Sequence, residues 1–495
     1  MPEKEVKNVI LILLDSLNRH FLPIYGNTWV KAPNIERLAE RSVIFDQHYM
    51  CSAPCMPARH DIFTGWAEFL WRPWGSLESW DNSMVKLLKQ KGVTTQLITD
   101  HYHYFERGGE NYHIDFDGWE IIRGHENDPW ITESTPIPEH KGIITPRYAR
   151  NMTRMKREED FLSPRTFKSA INWLEDNYNK HEQFFLMVEE FDPHEPFHVP
   201  PPYDTMYDET WKGPLYFWET YGLCLDDEDS IKHIRAQYAG KVTMTDRWLG
   251  YFLDKVDDFK LWDNTIIILM TDHGHYLGEH GLYGKPPSPC YQSFAHLPLL
   301  IHLPGDINAG KRASALTSNI DIYATVLDTF GLKPVGFTHS NSLIPLAKGE
   351  VDKVRDFGLY GWFGEYVQYN DGKYSYLRAP NRENSPLYIY SQRWSTAPWW
   401  ELPPLDDKVE AGRWLPWTDV ILFRRPINLD ELRRLHGNLE LILDGKPMLF
   451  NIEEDEEQKY PIKDEAIEKE YIKKLHDALI SWQAPKEQLE RLGLI

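Results

Sequence analysis

Two apolar runs, each closed by an aspartate, constrain the fold most. Asn8-Val-Ile-Leu-Ile-Leu-Leu14 shows no alternation and runs into Asp15; Thr265-Ile-Ile-Ile-Leu-Met270 runs into Thr271-Asp272. A strand with one wet face alternates apolar and polar residues. A continuous run needs cover on both faces, the condition of a parallel sheet between helix layers. Thr94–Ile98 and Phe184–Val188 read as further strands. Helical patterns separate them at Ser83–Lys91, from Ser163 with Pro164 at N1, and at Asp229–Asp257. Strand and helix in turn give the α/β class, a large, mostly parallel sheet sandwiched by helices. Ligands of such sheets bind beyond the carboxyl ends of the strands. Asp15, Asp272 and His273 stand there, and Gly274 allows a sharp turn after them.

Near Asp356 the character of the chain changes. Residues Glu365–Leu377 alternate around Asn370-Asp-Gly372, a type I′ hairpin signal. Trp394–Trp417 is rich in Trp and Pro, and Ala466–Trp482 has one apolar helical face. The expected division is a large α/β domain, 1–355, and a smaller α+β domain, 356–495, with an antiparallel sheet.

Charge narrows the function classes. Lys+Arg total 54 against 75 Asp+Glu, a formal net charge of −21. This excludes a basic surface for nucleic acid or anionic lipid, so an anionic ligand needs a local cationic cluster. No stretch approaches a membrane span. The first apolar run is too short for a secretory leader, and a cytoplasmic protein is expected. The four cysteines are too few for a disulfide scaffold. Cys51 and Cys55 lack the second pair that a zinc site needs.

The second strong feature is Cys51-Ser-Ala-Pro-Cys55-Met-Pro57-Ala-Arg59-His60, running on to Thr64-Gly65. Pro57 fixes its own φ and biases Met56 toward extended geometry. Cys55 is therefore expected where a turn enters a helix, with backbone N–H groups facing an anion. Arg59 adds a forked cation suited to a tetrahedral oxyanion.

This Cys-x-Pro-x-Arg pattern resembles the signature of the sulfatases, of the alkaline phosphatase superfamily. Further motifs follow in the family's order up to about residue 350. They are Asp15, then Thr99-Asp-His101-Tyr-His103, then Pro193-His194-Glu-Pro196-Phe197. Asp272-His273-Gly274 comes next, with Gly278-Glu-His280-Gly281 and Lys285 behind it. His101 stands where the family carries a lysine, which keeps a cation there only in a pH-dependent form.

The resemblance implies an alkaline-phosphatase-like fold and hydrolysis of sulfate monoesters. It implies that a formylglycine-generating maturase oxidises Cys55 and that the hydrated aldehyde attacks sulfur. Arg59 then orients the diol, and His103 deprotonates the hydroxyl that expels sulfate. Lys285 and His101 bind sulfuryl oxygens, and His194 or Lys285 protonates the leaving oxygen. Asp15, the Cys55-derived oxygen, Asp272 and His273 hold one divalent cation. Ca²⁺ suits the oxygen-rich set, with Mg²⁺ and Mn²⁺ open.

Two departures matter. Ala58 replaces the serine common in the family, and Ser16 replaces a second acid after Asp15, which leaves the fourth protein ligand open. Phosphonate monoester and phosphodiester hydrolases of the same superfamily share the latter trait. They are the alternative reading; a non-catalytic relic with Cys55 as a thiol is the third. The expected substrate is a small aryl or sugar ester, with Trp399 and Trp400 as a stacking wall. An oligomer is left open.

Overall fold

The computed structural model describes residues 6–287, 289–393, 408–437 and 445–495. Trp394, Trp399 and Trp400, and with them the expected stacking wall, lie outside the described residues.

Asn8–Leu14 is the middle of a nine-stranded sheet. It pairs in parallel with Phe184–Glu190 on one side and Thr265–Met270 on the other. Thr94–Thr99 and Gly118–Ile121 extend the first side, also in parallel. Beyond Thr265–Met270 the direction reverses: Leu299–His302 is antiparallel to it and Val43–Tyr49 antiparallel to Leu299–His302. The sheet is therefore mostly parallel, with a mixed flank.

The unalternating runs are covered on both faces, as their composition requires. Ile10, Ile12 and Leu14 enter one apolar core with Phe167 and Leu174 of helix Leu162–Asn177 and Ile234 and Val242 of helix Glu228–Asp258. Val9, Leu11 and Leu13 enter the other, with Met56, Ile62 and Phe63 of helix Cys55–Thr64. Every residue of that last helix is buried, so it shows no polar stripe. It ends at Gly65, whose φ of 72° suits glycine, and an added Cβ would lie 2.5 Å from Thr338 Oγ1.

A smaller sheet joins Met448–Asn451, Tyr374–Arg378, Val367–Asn370 and Gly358–Trp362 in antiparallel order. Its last strand pairs in parallel with Ser52–Ala53, Trp362 opposite Ala53. A sheet built from late sequence is thus anchored directly before Cys55. Among the described residues no helix is long and apolar enough to cross a membrane.

Three local expectations are corrected. Pro164 is the third residue of its helix rather than the first; any first-turn position tolerates the missing N–H. The hairpin at Asn370 is not type I′. Its loop is Asp371-Gly-Lys373, only Gly372 has positive φ, and Asn370 Oδ1 accepts from Gly372 N at 2.7 Å. Gly274 is needed for close approach rather than for a left-handed turn, because a Cβ there would meet Ser293 O at 2.3 Å.

Candidate active site

Strand ends and one helix start build the site. Cys55 opens helix Cys55–Thr64. Asp61 braces the entry from within the helix, accepting from Ser52 N (2.6 Å), Ser52 Oγ (2.9 Å) and Glu68 N (3.0 Å). Asp15 and Asp272-His273 follow the two central strands. One ligand atom each from Asp15, Cys55, Asp272 and His273 lies within 4.8 Å of the others, all four residues buried.

Arg59, one turn after Cys55, is the hub. Its NH2 lies 2.8 Å from Asp15 Oδ2, its Nε 2.8 Å from Glu189 Oε1, and its NH1 pairs with Asp272. NH1 also donates to Cys55 O at 3.3 Å. Ser16 closes the ring of contacts, donating its hydroxyl to Asp15 Oδ1 (2.6 Å) and its N–H to Asp272 Oδ1 (3.0 Å).

The electrostatics follow from burial. Desolvation and the Asp272 charge push the Asp15 carboxyl well up. Burial opposes the Asp272 charge too, but the Arg59 guanidinium and the Ser16 N–H hold this carboxyl below its ordinary value. Burial lowers His273 to about 3, so its ring is neutral. Nδ1 donates to Gly274 O at 2.8 Å, which leaves the Nε2 lone pair facing Cys55 Sγ at 3.3 Å. That is the tautomer a metal-ligating histidine needs. Two carboxylates, a neutral imidazole and residue 55 make a donor set that fits a hard divalent cation. As a thiol, Cys55 is inert: burial and Asp15 push it well up, and a thiol rather than a thiolate is a poor nucleophile.

A cavity of about 640 Å³ opens over Cys55. Lys285 and His194 meet in its wall, Nζ to Nε2 2.7 Å. Lys285 also donates to both Glu195 oxygens at 3.1 Å. Burial opposes its charge, yet Glu195 holds its ammonium above the ordinary lysine value. Burial and Lys285 keep His194 neutral, and its Nδ1 donates to Glu195 O at 2.6 Å. Lys241, from helix Glu228–Asp258, spends its three protons on this loop. It donates to His194 O (2.9 Å) and Pro196 O (2.6 Å) and pairs with Asp192 (2.7 Å).

The two histidines at 101 and 103 exchange the charge states expected of them. His101 is buried behind the cavity, 4.0 Å from Asp15 Oδ2, with Phe191 and Tyr104 against its ring. Burial and Arg59 hold it neutral, so no cation stands there to bind a sulfuryl oxygen. His103 lines the cavity, and its Nδ1 and Nε2 face Glu106 and, at 3.4 Å, Glu126. Burial opposes its charge, but the two carboxylates push it up to about 9. With both ring nitrogens facing carboxylates, the charged form of His103 is favoured.

This gives a pH signature. The folded chain holds a proton on His103 that the unfolded chain releases near pH 6.5. The resulting stabilisation, at most about 3 kcal/mol, is complete below pH 6.5 and disappears as pH rises through about 9. Urea titrations from pH 6 to 10 should show His103→Gln losing less stability than the native chain. Parallel pH profiles would contradict the assignment.

Several site residues carry no motif. Glu189, the next-to-last residue of strand Phe184–Glu190, accepts from Arg59, Tyr104 OH (3.0 Å) and Thr99 Oγ1 (3.0 Å). A charge at the end of an apolar strand was the available signal, the same one that marks Asp15. Glu126 sits in a loop at φ 37° and reaches both His103 and His194; nothing in the local sequence marks it. Trp362, Phe363 and His436 complete the cavity wall from late sequence.

A family model described as Sulfatase matches residues 7–332. A sulfatase of Formosa agariphila is 28% identical over 75% of this chain and 80% of its own. The multifunctional alkaline phosphatase superfamily protein PehA of Trinickia caryophylli is 27% identical over 70% of this chain and 78% of its own. The crystal structure of the phosphonate monoester hydrolase of Agrobacterium radiobacter superposes with a TM-score of 0.68. It covers 97% of this chain and 95% of that one at 19% identity, a likeness of fold.

Proposed function

The chain belongs to the sulfatase family, the hydrolases of sulfuric esters, and we propose that it cleaves small sulfate monoesters with formylglycine made from Cys55. One observation carries this reading: four donors from three distant segments, Asp15, Cys55 and the adjacent Asp272 and His273, lie within 4.8 Å of one another. A divalent cation held there, Ca²⁺ before Mn²⁺ or Mg²⁺, supplies charge to polarise the sulfuryl group. The modified residue supplies a hydroxyl nucleophile where the native thiol is inert.

This chain's own residues do the rest. Arg59 fixes residue 55 relative to the two aspartates. Lys285, held cationic by Glu195, meets sulfuryl oxygens that enter from the cavity. The Lys285–His194 hydrogen bond carries the proton that the leaving oxygen takes. His103 contributes positive charge at the cavity wall. His101 acts only by packing behind Asp15. The proposal includes maturation by a formylglycine-generating enzyme, a cytoplasmic setting that suits four free cysteines, and a division of the chain at residue 355.

A second reading, phosphonate or phosphate diester hydrolysis, is favoured by Ser16. Its hydroxyl, not a carboxylate, sits beside Asp15. Steady-state kinetics on matched aryl sulfate and aryl phosphonate esters separate the two. The first reading expects the higher kcat/KM on sulfate, lost on chelation and restored by added Ca²⁺ or Mn²⁺. A higher kcat/KM on phosphonate would install the second. An unmodified Cys55 thiol in protein from the native organism, with no turnover of either ester, would support the third reading, a non-catalytic relic.

A further inference from the structure

A second cavity, of about 330 Å³, adjoins the catalytic one. Tyr102, Glu106 and Arg147 line both. Two aromatic side chains that the fold leaves open form part of its lining. Trp119 is 47% exposed and Phe105 38%. Trp119 stands on Gly118–Ile121, the edge strand of the large sheet. Phe105 lies beside it, ring centres 5.4 Å apart and planes tilted by 49°. Large exposed rings at a cavity mouth are what a ring-bearing ligand would cover.

The charges around this cavity cancel with one exception. Glu106 is matched by His103. Arg123 and Asp128 are paired through contacts of 2.6, 2.8 and 3.0 Å. Arg147 donates to Asn127 O at 3.2 Å and, among the described residues, pairs with no carboxylate. A guanidinium has five donors in a planar fork, so most of this one remains to be used. It stands where the two cavities meet.

Building on the sulfatase reading above, we propose that this second cavity binds the far ring of a two-ring alcohol. That ring lies against Trp119 and Phe105, and a carboxylate or second sulfate on it meets Arg147. The sulfated ring occupies the catalytic cavity at the same time. Specificity for the ester is therefore set partly outside the catalytic residues, by a ring platform and one unmatched cation.

The test uses the full chain with 4-nitrophenyl sulfate, biphenyl-4-yl sulfate and 4′-sulfooxybiphenyl-4-carboxylate. The carboxylated biphenyl ester should exceed the neutral one in kcat/KM by about fivefold at low salt, less at high salt. Arg147→Gln should remove that lead. Trp119→Ala should lower the kcat/KM of both biphenyl esters relative to the nitrophenyl ester by up to about tenfold. Ratios equal to those of the native chain in both variants overturn the proposal.

If protein shown to carry the aldehyde at residue 55 hydrolyses none of the three esters, the sulfatase reading fails on its own. The second cavity is then read by calorimetric binding of 4′-hydroxybiphenyl-4-carboxylate. Affinity about fivefold weaker for Arg147→Gln supports the site. Equal affinity, or no measurable binding to the native chain, overturns it.

Discussion

Replacing Cys55 by alanine should reduce turnover of an aryl sulfate by roughly a thousandfold or more, with the fold intact. Both halves come from the same geometry. Cys55 starts a helix whose other residues are held by their own contacts, and the thiol makes one weak hydrogen bond, to His273 Nε2. Removing one sulfur from this packed site costs about 1 kcal/mol. The chemistry has no such reserve. Of the groups facing the cavity, Lys285 is a bound ammonium, His103 a paired cation and His194 a ring already accepting from Lys285. None is placed to substitute as nucleophile. The measurement is kcat/KM beside a denaturant unfolding curve. Activity within tenfold of the native enzyme would remove residue 55 from the reaction.

The second large effect concerns stability. Arg59→Met should destabilise the fold by about 3–5 kcal/mol near neutral pH, the cost of removing one partner from a buried charge cluster. Arg59 is fully buried and meets Asp15, Glu189 and Asp272. Methionine replaces much of the volume but leaves three carboxylates without their shared cation. Their pKa values must then rise, so the loss should shrink as pH falls and the carboxylates take up protons. Added Ca²⁺ or Mn²⁺ should recover part of it, because a divalent ion among Asp15, Asp272 and His273 neutralises two of the three. Unfolding curves at pH 5 and pH 8, with and without metal, read all three expectations. A loss below 1 kcal/mol at pH 8 would mean that these charges are not coupled through Arg59.

Strand ends and the helix start were legible because local sequence determines them. An apolar run that cannot alternate must be central, and the acid that closes it must stand at the sheet's carboxyl edge; Asp15, Asp272 and His273 follow from that alone. Cys55 at a helix N-terminus follows from the prolines around it. Charge states were not legible, because burial and the groups the fold sets against each ring decide them. His103 looked like a base and His101 like a cation. Burial, with Arg59 beside it, favours the neutral form of His101, and Glu106 together with Glu126, a loop residue with no motif, favours the charged form of His103 against burial. His103 and Glu106, three residues apart, were a pair the sequence offered and a reading by motifs passes over. The late wall of Trp362 and Phe363 follows from a strand pairing with Ser52–Ala53, which no local pattern announces.

The most direct measurement is mass spectrometry of the peptide containing residue 55, on protein produced with and without a formylglycine-generating enzyme, alongside turnover of an aryl sulfate. Activity should rise in proportion to the fraction of residue 55 present as the aldehyde and approach zero in fully unmodified protein. Full turnover by protein whose Cys55 is entirely a thiol would contradict the account.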